Sequence, residues 1–119
     1  MKAKHPPLRS ARAALKGLRR LFARERNARA ELAISAVALG LCAWFKVSLA
    51  EGSLVLLCVA GVLSAEAMNT AVEVLADTLH PSYSEGIGLA KDLAAGAVLL
   101  MAIVSAIVGA LIFGPRFFS

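Results

Sequence analysis

Leu93 to Gly114 is a run of twenty-two residues without one charge, long enough as a helix to cross a hydrocarbon core about 30 Å thick. Inside lipid the backbone has no water to bond to, so a segment of this kind satisfies its amides internally, as a helix does. The whole chain agrees with that constraint: 59% of its 119 residues are apolar and 18% charged, too greasy for an ordinary soluble domain. An all-α membrane protein is the expected fold class.

Two further spans are predicted upstream. Leu32 to Phe45 carries no charge but is short, and extending it to Ala50 gives a span over 32–50, with Lys46 able to lift its ammonium to an interface. The next helical pattern starts at Gly52 and runs to Leu79, where His80-Pro81 ends it. With the last span at 93–114, three transmembrane helices follow a basic segment over 1–29, all within one domain covering 1–119. So short a chain buries only a modest core alone, so a site needing several groups is expected to be assembled between copies.

Charge is distributed unevenly. The formal net charge is +5, and ten of the thirteen Lys and Arg residues fall between Lys2 and Arg29. Leu8, Ala11, Leu15, Leu18 and Phe22 recur there at steps of three and four, with Arg9, Arg12, Lys16, Arg19 and Arg20 on the remaining surface. This predicts an amphipathic helix lying on an anionic membrane surface rather than a nucleic-acid-binding arm. The segment also lacks the apolar core and cleavage site of a secretory signal. By the positive-inside rule the arm and the connection from His80 to Asp92 are cytoplasmic, with Arg116 the opposing signal. Cys42 and Cys58 lie inside apolar runs and read as small packing residues.

The costly feature is acid within a membrane span. Glu66, Asn69, Thr70, Glu73 and Asp77 fall on one helical face. Counted from Gly52, Glu66 lies about 21 Å along the helix and Glu73 about 32 Å. Glu66 is thus submerged and Glu73 stands near the water boundary. Desolvation makes a carboxylate a better proton acceptor, while contact with water or a cation keeps it ionised. Proton acceptance suits Glu66, and metal binding suits Glu73. The competing reading is an acidic stripe that faces water or pairs with arginines.

After this helix comes the stretch from Ser82 to Asp92, with glycines, hydroxyls and Lys91. Backbone amides at a helix start and a nearby ammonium suit phosphate, although the spacing is not that of a Walker A loop. Asp92 is placed to hold a ribose, a metal or Lys91 itself, and the plain alternative makes the two an interfacial anchor and a helix-start residue. Upstream, Glu25 and Glu31 flank a charged turn. Were the arm to fold back, Glu25 and Glu73 would be able to share Mg²⁺, which favours oxygen ligands alongside substrate phosphates.

Glu66-Ala67-Met68-Asn69-Thr70-Ala71-Val72-Glu73, followed by Ala90-Lys91-Asp92, resembles the paired motifs of the prokaryotic diacylglycerol kinase family, which includes undecaprenol kinases. Leu15-Lys16-Gly17-Leu18-Arg19 and the stretch from Glu25 to Glu31 look like the family's surface helix and turn, so the likeness covers nearly the whole chain. It implies a homotrimer in the bacterial inner membrane, with active sites at subunit boundaries that take MgATP from the cytosol and a lipid from the bilayer. Carried onto this sequence, it implies Glu66 as the proton acceptor and Glu25 and Glu73 as Mg²⁺ ligands. It further implies Ser82, Tyr83, Ser84, Lys91 and Asp92 as ATP contacts, with Asn69 in support. A basic family position falls on Pro6 here, which leaves Arg9 or Arg12 to supply that charge.

The implied reaction is phosphorylation of a lipid hydroxyl, with diacylglycerol favoured and undecaprenol the alternative. Lys16-Gly17-Leu18-Arg19 is similar to the diacylglycerol branch, and Lys91 to Val98 to the undecaprenol branch. A non-enzymatic membrane adaptor or a proton-coupled transport subunit is the reading from another class. Leu54 to Leu63 and Val98 to Val104 offer little of the polar path that transport needs.

Overall fold

The computed structural model describes residues 7–119, all of whose regular structure is helical. Four helices follow one another: α1 (Pro7–Arg24), α2 (Arg26–Phe45), α3 (Leu49–Leu79) and α4 (Glu85–Phe118). The part of the basic segment before residue 7, with the Pro6 position, lies outside the described residues. Three helices, α2, α3 and α4, are long and apolar enough to cross a membrane by length and composition.

The break between α1 and α2 sits at Glu25, whose extended backbone (φ −104°, ψ 119°) interrupts helical geometry for one residue. A helix that stops leaves its last carbonyls unpaired. Here Arg29 reaches back and donates to the carbonyls of Phe22 and Ala23 at 2.9 and 3.1 Å. Leu21 and the fully enclosed Ala28 flank the bend as buried residues. The basic segment therefore divides at Glu25, and Arg26 and Arg29 belong to the start of α2.

The helix α2 ends at Phe45 because Lys46 turns left-handed (φ 52°). The predicted extension of this span to residue 50 is thus replaced by a tight turn, and α3 begins three residues earlier than residue 52. Its start is a capping box: the Ser48 hydroxyl accepts from the Glu51 amide at 3.1 Å while the Glu51 carboxylate accepts from the Ser48 amide at 3.0 Å. Pro81 follows His80, the C-cap residue, and the chain turns. The Ser84 side chain then accepts from the Ile87 amide at 3.3 Å and starts α4 at Glu85, eight residues before the uncharged run. This helix continues through Pro115 to Phe118.

In the bundle α3 is central, packed against α4 along most of its length and against α2 on another side. At the end near the α2–α3 turn, Val55, Ile112 and Phe113 form a buried cluster with Phe45 and Val108 against it. Where α3 meets α4, the end of the Met101 side chain occupies the space that a side chain at Gly61 would take. Because α2 and α4 meet little directly, a groove of about 460 Å³ lies between α2, α3 and α4, lined by Ile34, Ser35, Val62, Ser105 and Phe113 and reaching Glu31.

Candidate functional site

The acid stripe on α3 has one enclosed member. Glu66 is 6% exposed, the only charged side chain among the described residues that is buried to that degree. Around it the fold gathers further carboxylates: Glu25, Glu31 and Glu73 all lie within electrostatic range. Glu73 is there because an offset of seven returns it to the Glu66 face of the helix. Glu25 arrives at the bend that Arg29 stabilises, where α1 folds against α2 and α3, and Glu31 arrives on α2, which packs directly against α3. The Glu25 carboxylate also accepts from Arg24 Nε at 3.1 Å. Asn69, one turn past Glu66, keeps an amide oxygen buried with no hydrogen-bond partner, an unusual state for such an atom.

Carboxylates of this kind near Glu66, with a buried, unpartnered amide oxygen one turn along the helix, are the hard oxygen donors that magnesium prefers. Among the described residues no three carboxylate, imidazole or thiol groups form a metal-binding cluster by themselves. An ion here would draw on one or two protein carboxylates and complete its shell with phosphate oxygens and water.

A second group of residues forms a cleft of about 320 Å³ where α3 gives way to α4, lined by Asp77, His80, Ser82, Tyr83, Lys91 and Asp92. Lys91 Nζ lies 2.6 Å from Asp77 Oδ1. The lysine is therefore paired across the loop with α3 instead of with its neighbour Asp92. The His80 ring nitrogen Nδ1 meets the Ser82 carbonyl at 2.6 Å and tightens the turn. Tyr83 lies over Gly88, where a side chain would come within 2.9 Å of the ring. The exposed Tyr83 ring is thereby held over the first turns of α4.

The structure thus brings Glu25, Glu66 and Glu73 into one neighbourhood and Ser82, Tyr83, Lys91 and Asp92 into another. Asp77, one turn beyond Glu73 on α3, is the link between them. Ser84 lies beside the cleft, its hydroxyl engaged as the α4 cap. Lys91 and Asp92 stand inside the second turn of α4, not at a helix start, because capping at Ser84 winds the loop's second half into helix. Sequence reasoning gave no site role to Glu31 or Asp77. The signal for Asp77 was present, four residues after Glu73 on the same face. For Glu31 it was absent, since only the packing of α2 against α3 sets that residue near Glu66.

Fold and site together define a helical protein with three helices long and apolar enough to span a membrane, with its buried acid on the central helix and its cleft, which holds Lys91 between Asp77 and Asp92, where that helix gives way to α4. A sequence profile described as prokaryotic diacylglycerol kinase matches residues 12–113. The chain is 36% identical over 85 residues to an undecaprenol kinase of Bacillus subtilis, covering 71% of this chain and 69% of that protein. It is 30% identical over 102 residues to a diacylglycerol kinase of Escherichia coli, 86% of this chain and 84% of that one. A Synechocystis diacylglycerol kinase is 48% identical over 59 residues, 49% of this chain and 34% of its own. The chain belongs to the prokaryotic diacylglycerol kinase family, a family of lipid kinases.

Proposed function

We propose that this protein transfers the γ-phosphoryl group of ATP to the hydroxyl of a membrane lipid, with diacylglycerol as the substrate and phosphatidic acid as the product. The observation that carries this reading is Glu66, a carboxylate buried on a spanning helix and surrounded by acids, in a chain of the lipid kinase family. A buried acid in a membrane span is expensive and marks chemistry.

In this reading the cleft at Lys91 receives the phosphate chain, and the lysine ammonium adds positive potential where charge accumulates. Glu66 accepts the proton of the lipid hydroxyl as its oxygen attacks the γ-phosphorus; the new O–P bond forms while the bond to the β-phosphate oxygen breaks, and ADP leaves. Glu25 and Glu73 would hold Mg²⁺. That ion, when bound, neutralises phosphate charge. Asn69 supports the carboxylates. The apolar groove that reaches Glu31 supports a substrate with a hydrocarbon tail, since it offers that tail a path within the bundle.

A homotrimer in the bacterial inner membrane is part of this proposal. The small amount of apolar surface that one chain buries favours helices meeting copies of themselves as well as lipid. The basic face of α1, with the exposed Leu8, Leu15 and Leu18, suits a helix lying on the cytoplasmic surface.

Undecaprenol stays as the second substrate reading because the Bacillus subtilis relative carries that name over 71% of this chain. The deciding experiment gives purified protein MgATP with diacylglycerol or undecaprenol in mixed micelles and measures phosphate transfer to each. Faster transfer to diacylglycerol supports the first reading and faster transfer to undecaprenol the second. No transfer to either by a folded oligomer overturns the kinase reading.

A further inference from the structure

The ion pair between Lys91 and Asp77 is the sole salt bridge among the described residues that ties α3 to the beginning of α4. Its length is 2.6 Å, yet the Asp77 side chain is 64% exposed and that of Lys91 37%. Pairs so open to water add little to folding stability, so the fold gains little from this contact. Both residues line the cleft with Ser82, Tyr83 and Asp92. Asp77 also follows Glu73 by four residues, about 6 Å along α3, which places the pair between the cleft and the carboxylate cluster.

We infer that Asp77 is a positioning residue for phosphate binding, holding the Lys91 ammonium over the cleft so that its remaining N–H groups meet phosphate oxygens already aimed. A lysine ammonium has three donors; Asp77 takes one and leaves two. Without that tether, a four-carbon stem must be ordered when the nucleotide arrives, and the lost rotamer freedom weakens binding. Asp92 does not substitute, since the adjacent residue on a helix points about 100° away and Lys91 is bonded to Asp77. The inference rests on the reading of this cleft as the nucleotide site.

Two effects of removing Asp77 have opposite signs, and this makes the test decisive. Loss of an anion near the cleft would strengthen phosphate binding, whereas loss of the tether would weaken it. The expected result for Asp77→Ala is a KM for MgATP raised about three- to tenfold, the size of coupling between two contacting side chains, with kcat within about twofold of the parent. Asp77→Asn, which keeps shape without charge, should fall in the same direction, and Asp77→Glu should recover part of the loss. In the double-mutant cycle, Asp77→Ala added to Lys91→Ala should leave KM where Lys91→Ala alone puts it. A KM that falls or stays constant in both Asp77→Ala and Asp77→Asn, or an Asp77 effect that adds in full to the Lys91 effect, overturns the inference while the cleft assignment stands. An unchanged KM in Lys91→Ala overturns the cleft assignment itself and the inference with it.

Discussion

Arg116 grips Glu51 across 65 residues of sequence, with its Nη2 2.9 Å from one carboxylate oxygen and its Nη1 3.2 Å from the other. The same guanidinium donates to the Ile112 carbonyl at 2.6 Å, so a forked contact closes the end of the bundle opposite the cleft. Glu51 is the partner of Ser48 in the capping box that starts α3, and Arg116 lies in the last turn of α4. The two long helices are therefore joined at both ends, firmly by Arg116 and Glu51 at one and only loosely by the water-exposed Lys91 and Asp77 pair at the other.

Glu66→Gln is expected to lower lipid phosphorylation about 10²- to 10⁴-fold, the usual loss when a general base is removed. MgATP affinity should change little, because the amide preserves shape. Turnover and nucleotide affinity measured on one detergent-purified sample check this. Near-normal turnover removes the proton-acceptor role, and parallel loss of binding and rate moves Glu66 into the metal or nucleotide site.

Replacing either Glu25 or Glu73 by Gln takes away an anionic oxygen ligand. Each variant should require several times more Mg²⁺ for half-maximal rate and recover part of its activity when Mg²⁺ is raised. A magnesium titration of rate at fixed ATP reads this directly. Unaltered magnesium dependence in both would remove these residues from the metal site.

The three spanning helices were legible because uncharged runs announce themselves, but their ends were not. A charge-free window measures the greasy part of a helix, while the helix itself runs from cap to cap. For α4 the cap is Ser84, nine residues ahead of the window beginning at Leu93. For α3 the Ser48 and Glu51 spacing was readable as a capping box and would have placed its start at Leu49. The break at Glu25 has no proline or glycine to mark it; it depends on Arg29 satisfying carbonyls of the preceding helix. Within the site, the acids of α3 followed from helical period alone. The Lys91 pairing did not, since it depends on how the turn through His80 and Ser82 sets α4 against α3.

Topology has its own test. Ala50 and Ser82 are both exposed, at opposite ends of α3. In a background without Cys42 and Cys58, a membrane-impermeant thiol reagent outside sealed cells should label Ala50→Cys and spare Ser82→Cys, as the positive-inside rule requires. The reverse pattern would put the cleft on the side away from cytoplasmic ATP.

Phe113 sits in the cluster with Val55 and Ile112 and meets the Phe45 ring in a tilted contact, with ring centroids 6.3 Å apart. Phe113→Ala should destabilise the protein by no more than about 3 kcal/mol, the lower end for such truncations in soluble proteins, because lipid replaces water in the unfolded reference. Denaturant titration in mixed micelles measures it. Turnover per folded molecule should stay normal at saturating lipid, as the cluster lies far along the bundle from Glu66, while the KM for the lipid rises because Phe113 also lines the groove proposed for the hydrocarbon tail.

The turn from Lys46 to Ser48 governs how the chain enters the bilayer as it is made. Three residues separate α2 from α3 and reach about 10 Å when fully stretched, far short of the hydrocarbon thickness. With α1 on the cytoplasmic face, as proposed, the leading end of α2 cannot reach the far side without drawing the first turn of α3 with it, so the pair inserts as a hairpin. Lys46 and Glu51 then cross together, one of each sign. Arg116 is synthesised 65 residues after Glu51, so during that passage the carboxylate has the Ser48 amide as its local donor. The capping box that starts a helix in the finished protein thus shelters a travelling charge during biogenesis.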